Sequence, residues 1–184
     1  MRYIDDAVTA LLKWEGTIPW MYLDTRGNVT VGCGAMLPNP GAACNLPFQS
    51  PAGGDASPDE IVADFNRVKA MSPARPAGFY EADTSPTLTK PVITTLLSAT
   101  VAHNDATLCT AFSGWGGFPA SVKVALLDME YNVGEGELLR GYPKMDAAIR
   151  AGDWRGAADQ CHRNGISDAR NDWTRYLFLT AANG

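Results

Sequence analysis

Basic residues are scarce in this sequence of 184 residues. Lysine and arginine total 15 against 20 aspartates and glutamates, which gives a formal net charge of −5 at pH 7. Domains that bind nucleic acid normally carry a surplus of basic residues, so we expect no nucleic-acid partner. The acidic balance also argues against adsorption to a negatively charged surface by bulk charge, and it favours a site that recognises its ligand locally.

Long hydrophobic runs are absent as well. No stretch approaches the ~20 apolar residues that a membrane-spanning helix needs, so we expect no membrane insertion. Residues 1–14 include Asp5, Asp6 and Lys13 within an amphipathic pattern, which is typical of neither a signal peptide nor a signal anchor. We therefore expect synthesis in the cytoplasm, and a target outside it would require export by another system.

Residues that bind metal ions are few and widely spaced. The four cysteines, Cys33, Cys44, Cys109 and Cys161, are separated by 11, 65 and 52 residues, and the chain has only two histidines. Zinc sites use shorter spacings, so we expect no metal and no other cofactor. The cysteines leave two alternatives open, namely free thiols or one or two disulfides formed after export.

The hydrophobic pattern that is present has mainly helical periodicity. It predicts helices over residues 3–14, 58–71, 89–112, 120–132, 144–151, 154–163 and 168–181. Two short runs rich in strand-forming residues, 20–23 and 29–31, flank a turn at 24–28 and predict a β-hairpin. Residues 36–56 and 72–88 are rich in proline and glycine and are expected to be loops. The fold class is therefore α+β, with helix dominating.

Three polar residues near the N-terminus have the chemistry of a glycoside hydrolase. Glu15 stands where the first helix ends, since Gly16 follows it, and Asp24 begins the hairpin turn nine residues later. Such a reaction needs a proton donor and a second group on the opposite face of the sugar, about 6.5–9.5 Å away when it holds a water. Thr30, on the second strand, has a stiff side chain with a hydroxyl that can hold this water.

These residues occur within a longer motif that resembles the phage T4-type lysozymes. Glu15-Gly16 is followed by Tyr22-Leu23-Asp24 and by Gly27, Thr30 and Gly32-Cys33-Gly34, which matches E-G, Y-x-D and G-x-x-T-x-G-x-G without a gap. Residues 122–134 resemble the central buried helix of that family and its ending, and residues 152–154 resemble its Gly-Asp-Trp. The resemblance implies a single lysozyme-like domain with a small N-terminal hairpin lobe and a C-terminal helical lobe.

The resemblance also implies roles for individual residues. Glu15 corresponds to the general acid, while Asp24 and Thr30 correspond to the pair that positions water, so that the anomeric configuration inverts. Asn132 is expected to face the substrate. Arg170, eight residues before Phe178, is expected to form an ion pair that orients Glu15, with Arg175 as its competitor. The hairpin residues are expected to support the substrate; they are Trp20, Tyr22 and Gly34.

The sequence departs from the family pattern at three places. Ala35 stands where a histidine is frequent, and Cys33 stands where an aliphatic or aromatic residue is usual. Residues 36–88 form a loop-rich insert with one helix, between a catalytic segment at 1–35 and a helical lobe at 89–184. We expect this insert to reshape the region around the substrate.

The implied activity is that of a muramidase, which hydrolyses the β-1,4 bond between N-acetylmuramic acid and N-acetylglucosamine in peptidoglycan and lyses bacteria. Two alternatives stay open: a lytic transglycosylase, and a non-catalytic module that binds peptidoglycan. The protein is expected to be a monomer that acts in the periplasm or on the cell wall. It would be either a phage endolysin released through a holin, or an antibacterial effector exported by a secretion system and bound by an immunity protein.

Overall fold

A computed structural model describes residues 2–183, and the chain is mostly helical with one small antiparallel sheet. The helices are α1 (Arg2–Glu15), α2 (Pro40–Cys44), α3 (Pro58–Lys69), α4 (Lys90–Ala111), α5 (Ala120–Val133), α6 (Glu135–Gly141), α7 (Pro143–Arg150), α8 (Trp154–Gln160) and α9 (Asp168–Ala182). The strands are β1 (Ile18–Leu23), β2 (Val29–Gly32) and β3 (Ala35–Met36), in the order β1-β2-β3. The predicted α+β class with dominant helix is confirmed.

The predicted helices and the hairpin agree with the structure to within a few residues. The capping box that opens α3 is present, since the Ser57 side chain accepts from the Glu60 backbone N–H and the Glu60 carboxylate accepts from the Ser57 backbone N–H. This reciprocal pair satisfies two donors that the helix itself leaves free. A local signal of this kind is sufficient to place the start of a helix.

The structure differs from the predicted secondary structure at three places. Residues 36–56 were expected to be a loop, but they contain α2, which begins because the Asn39 side chain accepts from Ala42 N and Pro40 occupies the first turn. Helix α6 was not predicted, because its glycine-rich sequence has low helix propensity; the burial of Leu138 holds it in place. Helix α8 ends at Gln160 rather than Arg163, whose side chain is fully buried.

The chain divides into two compact units. The first comprises Met1–Trp14 and Ser98–Gly184, and the second comprises Glu15–Leu97. In the first unit α9 packs against α5 and α8, and every residue from Val122 to Glu130 of α5 is buried. In the second unit α3 packs against α2 and the sheet. The hairpin and the insert at 36–88 therefore belong to the same unit.

The antiparallel register of the sheet places Tyr22 opposite Thr30 on β1 and β2. Strand β2 ends at Gly32, whose φ of +69° is rarely adopted by other residues. A Cβ atom at this position would lie 3.1 Å from the Ile93 side chain, at the start of α4. Gly32 therefore serves both the turn after β2 and the close approach of α4 to the sheet.

An ion pair between a buried aspartate and a half-buried arginine holds the second half of the insert in place. Arg67 on α3 pairs with the buried Asp64, and the same guanidinium donates to Tyr80 O at 2.7 Å and to Ser85 Oγ at 3.0 Å. These bonds satisfy buried polar groups that a loop would otherwise leave without partners. Residues 72–88 contain no long helix or strand, but they follow a defined path.

No helix within residues 2–183 is both long enough and apolar enough to cross a membrane. None of the four cysteines, all within the described residues, forms a disulfide; Cys33 and Cys161 are buried, Cys44 is half-buried and Cys109 is exposed.

Candidate active site

Glu15 is the last residue of α1, and its side chain is exposed to solvent. The chain turns away from the helix at Gly16, which has a φ of +71°. The buried Cys33 thiol, at the turn after β2, donates to the Gly16 carbonyl oxygen at 3.1 Å. This contact joins the end of the helix to the sheet directly beside Glu15.

Asp24 follows β1 and is held by three hydrogen bonds. Its Oδ1 accepts from the backbone N–H groups of Arg26 and Asn28, both at 2.8 Å, and its Oδ2 accepts from Asn28 Nδ2 at 3.0 Å. Partial burial acts to raise the pKa of Asp24, but the hydrogen bonds from Asn28 and Arg26 and the Arg26 charge outweigh burial and lower it. The carboxylate is therefore ionised at neutral pH. Because a carboxylate has about four acceptor positions, one remains for a water molecule.

Thr30 is buried in the middle of β2, with 2% of its surface exposed. Its Oγ1 donates to the Asn28 carbonyl oxygen at 3.1 Å. The hydroxyl has thus used its donor, and its oxygen can only accept from a further partner. Asn28 therefore orients the side chains of both Asp24 and Thr30.

The charges of both predicted carboxylates act on Tyr22. Burial, followed by the charges of Cys33, Glu15 and Asp24, raises the pKa of Tyr22 to about 12. The Glu15 charge, after burial, also raises the pKa of the Cys33 thiol. Residues from the end of α1, from β1 and from the turn after β2 thus share one electrostatic environment. The Tyr22 hydroxyl stays protonated at neutral pH and can donate a hydrogen bond.

Two further hairpin residues were predicted to support the substrate. The Trp20 indole donates from Nε1 to the Ala77 carbonyl oxygen at 3.0 Å, so its N–H group holds the insert against β1. Gly34 is exposed in the turn between β2 and β3 with a φ of +105°. Contact of either residue with a substrate stays a prediction.

Arg170 lies in the first turn of α9 and is buried. It donates from Nε and Nη2 to Asp128 Oδ1 at 3.0 and 2.8 Å. Its competitor, Arg175, is exposed and pairs with Asp159 at 3.2 Å on the surface. Arg170 is thus the arginine with a defined orientation, while its pairing with Glu15 stays a prediction. Asn132, at the end of α5, is half-buried, and its contact with a substrate also stays a prediction.

The sequence analysis missed a buried charge network around Asp128. Asp128 Oδ2 pairs with Arg163 Nη2 at 2.8 Å and accepts from Thr174 Oγ1 at 3.2 Å, in addition to the bonds from Arg170. Arg163 and Asp128 are each about 1% exposed. The available signal was the position of Asp128 directly after the apolar run of residues 124–127.

Glu130 is a second buried carboxyl on α5, two residues beyond Asp128. Its side chain is 6% exposed, and Oε2 has no hydrogen-bond partner among the described residues. Burial, followed by the charge of Glu135, raises the pKa of Glu130 to about 7. This carboxyl therefore titrates near neutral pH.

No group of three or more metal-ligating side chains is found within the described part of the chain. Comparison with protein-family models gives no match, and comparison with curated proteins finds no similar sequence. The chemistry of the site must therefore be argued from its own residues.

Proposed function

We propose that this protein is a muramidase with a lysozyme-like fold, and that it hydrolyses the β-1,4 bond between N-acetylmuramic acid and N-acetylglucosamine with inversion. The observation that carries the proposal is the hydrogen bonding around the three residues: the Cys33 thiol donates to Gly16 O at 3.1 Å beside Glu15, and Asn28 bonds both the Asp24 carboxylate and the Thr30 hydroxyl. The charges of Glu15 and Asp24, after burial and the charge of Cys33, also raise the pKa of Tyr22. The Glu15 carboxyl, exposed at the end of α1, and the ionised Asp24 carboxylate on the hairpin thus both influence the Tyr22 side chain. The motif that resembles the T4-type lysozymes supplies the same pair of residues.

Glu15 acts as the general acid in this mechanism. Its exposed position at the end of α1 leaves the carboxyl accessible to a glycan. As the glycosidic C–O bond breaks, the Glu15 proton passes to the leaving oxygen. The sugar ring then carries positive charge that the nearby ionised Asp24 stabilises.

Asp24 and Thr30 act on the water. The remaining acceptor position of Asp24 and the Thr30 oxygen can each accept a hydrogen bond from one water molecule, since the donor of Thr30 is used by Asn28. The water oxygen attacks the anomeric carbon as Asp24 takes its proton. Attack on the face opposite the leaving group inverts the configuration.

Arg170 and Asn132 complete the proposed site. Arg170 has its guanidinium fixed by two bonds to Asp128, and we expect it to orient Glu15 by an ion pair. Asn132 would contact the glycan. Peptidoglycan is the proposed partner in either biological setting, a phage endolysin or an exported antibacterial effector.

The test is the release of reducing ends from purified peptidoglycan by the Glu15→Gln variant. Removal of the proton donor should lower the rate at least 100-fold, since general acid catalysis contributes about 10²–10⁴-fold. The matched control is Glu81→Gln, which changes an exposed glutamate of the insert and should retain the parent rate. Full activity of Glu15→Gln would refute the mechanism.

The products distinguish the two alternatives. Hydrolysis gives reducing muramic acid, and proton NMR at early times should detect the inverted anomer. A lytic transglycosylase would give anhydro-muramic ends, which mass spectrometry detects. Binding to peptidoglycan without any cleavage would indicate a non-catalytic module. The ionised Asp24 favours hydrolysis, because a transglycosylase needs no group that deprotonates water.

A further inference from the structure

A recess in the first unit lies between the outer face of α1 and α9, and none of the residues assigned to catalysis lines it. Its volume is about 280 Å³, and its lining residues are Asp6, Thr9, Ala10, Lys13, Trp14 and Trp173. The five residues of α1 follow the spacing of one helix face. We refer to this feature as the α1–α9 recess.

Two tryptophans form the aromatic part of the α1–α9 recess. The ring centroids of Trp14 and Trp173 are 6.0 Å apart with the ring planes at 52°, and both side chains are half-buried. The Lys13 ammonium lies 4.7 Å from the centroid of the Trp14 ring, and Lys13 itself is exposed. The recess therefore combines aromatic surface with one cation at its border.

Polar groups complete the recess. Thr9 and Asp6 are exposed on the same face of α1, about one and two turns before Trp14. The Asp6 carboxylate and the Thr9 oxygen offer acceptors that match the hydroxyl and acetamido N–H donors of an amino sugar, since the Thr9 hydroxyl itself donates to Asp5 O at 2.8 Å. Binding sites for small molecules typically have this composition, an apolar and aromatic lining with a few convergent polar groups.

We propose that the α1–α9 recess binds one amino-sugar unit of a peptidoglycan glycan strand, as an accessory site built from residues other than Glu15, Asp24 and Thr30. The apolar face of the sugar ring packs against Trp173 and Trp14. The Lys13 ammonium pairs with a carboxylate of the muramic acid or its peptide. The choice of this sugar polymer depends on the proposed function, whereas the recess itself does not.

Size and charge favour this occupant over others. The recess is slightly smaller than the roughly 300 Å³ at which pockets for drug-sized ligands begin, so it suits a single substituted ring. A stable protein partner would need about 1,000 Å² or more of interface. The lining contains one cation and one carboxylate, which is poor for a nucleic acid, whose phosphates require several basic contacts.

The first experiment is an NMR titration of the Glu15→Gln protein with a soluble tetramer of N-acetylglucosamine. The indole N–H signals of Trp14 and Trp173 should shift in a saturable manner. The signal of Trp115, which is 3% exposed and hydrogen-bonded to Asp105, serves as the internal control and should not move. The titration should reach about 10 mM ligand, which is ten times the ~1 mM dissociation constant of a weak site. If the Trp14 and Trp173 signals do not move at this concentration, the proposal is overturned.

The second experiment measures cosedimentation of the same protein with insoluble peptidoglycan. Trp173→Ala should weaken binding about three- to tenfold, as expected for the loss of one aromatic contact. The matched control is Tyr176→Ala, which removes an exposed ring of α9 that does not line the recess and should bind like the parent. Equal binding by Trp173→Ala and the parent would overturn the proposal.

A third variant keeps the test independent of folding. Lys13→Glu changes an exposed side chain and should also weaken binding, because it places a negative charge where we expect the carboxylate of the sugar. Circular dichroism checks the fold of each variant. If Trp173→Ala does not fold, unchanged binding by Lys13→Glu would overturn the proposal. The proposed function is tested by a different result: cleavage of peptidoglycan by Glu15→Gln would refute the muramidase mechanism but would not bear on binding at the recess.

Discussion

The buried network around Asp128 allows a quantitative prediction about stability. Asp128 is 1% exposed, and its carboxylate pairs with Arg163 Nη2 at 2.8 Å. It also accepts from Arg170 at 3.0 and 2.8 Å and from Thr174 Oγ1 at 3.2 Å. The substitution Asp128→Asn keeps the shape of the side chain but removes its charge. Two buried guanidinium groups then lose their shared carboxylate.

The expected cost follows from the burial of these charges. Removing one partner of a buried ion pair typically destabilises a protein by about 3–5 kcal/mol, because the remaining charge stays out of water. For a chain of this size each kcal/mol lowers Tm by about 2–4 °C, so we expect a decrease of about 6–20 °C. Urea unfolding should show the same loss as a lower midpoint.

The matched control is Asp159→Asn. Asp159 pairs with Arg175 at 3.2 Å, but the two side chains are 57% and 50% exposed. Exposed pairs of this kind contribute about 0–1 kcal/mol. The two variants thus remove the same chemical group in opposite environments. A similar midpoint for both would refute the reasoning, since burial would then not determine the contribution of the pair.

Three further predictions concern other sites. Glu130→Gln should stabilise the protein by about 1–3 kcal/mol at pH 8 and hardly at all at pH 4. The pKa of Glu130 is about 7 in the folded protein and about 4.3 in the unfolded chain, so the parent protein loses stability as the pH rises through this range. Equal effects of the substitution on urea unfolding at both pH values would contradict this prediction. Cys33→Ser should retain more of the proposed muramidase activity than Cys33→Ala, because only serine can still donate to Gly16 O. Equal rates of the two variants at equal folded fraction would contradict a role for this hydrogen bond. Ser57→Ala should lower the free energy of unfolding by about 1 kcal/mol, because it removes the N-cap of α3. Ser72→Ala, in an exposed loop, is the control and should change this free energy little. Equal midpoints of urea unfolding for the two variants would contradict the contribution of the cap.

Local sequence features predicted most of the secondary structure for physical reasons that act over a few residues. The hairpin follows from strand-forming runs around a turn in which Asp24 accepts from backbone groups two and four residues on. The start of α3 follows from its capping box, which closes within four residues. Helix α6 could not be predicted in this way, because its stability depends on the burial of Leu138 in the tertiary structure.

Some features of the candidate site also follow from local sequence, whereas others depend on the tertiary structure. Glu15, Asp24 and Thr30 could be identified from their spacing, and the position of Asp24 in its turn is local. The shared environment of Glu15, Tyr22 and Asp24 depends on how the end of α1 approaches the sheet. The sequence also could not indicate that Trp20 Nε1 binds the insert at Ala77 O, since the two residues are 57 positions apart.

The sequence by itself determined the helical class, the hairpin and the residue types of the candidate site, because periodicity, turn chemistry and caps act between near neighbours. Only the tertiary structure decided which charges are buried. Asp128 and Asp159 are both aspartates of predicted helices, but Asp128 is buried between two arginines and Asp159 lies on the surface. Burial depends on contacts between distant segments, and it determines both the strength of an ion pair and the direction of a pKa shift.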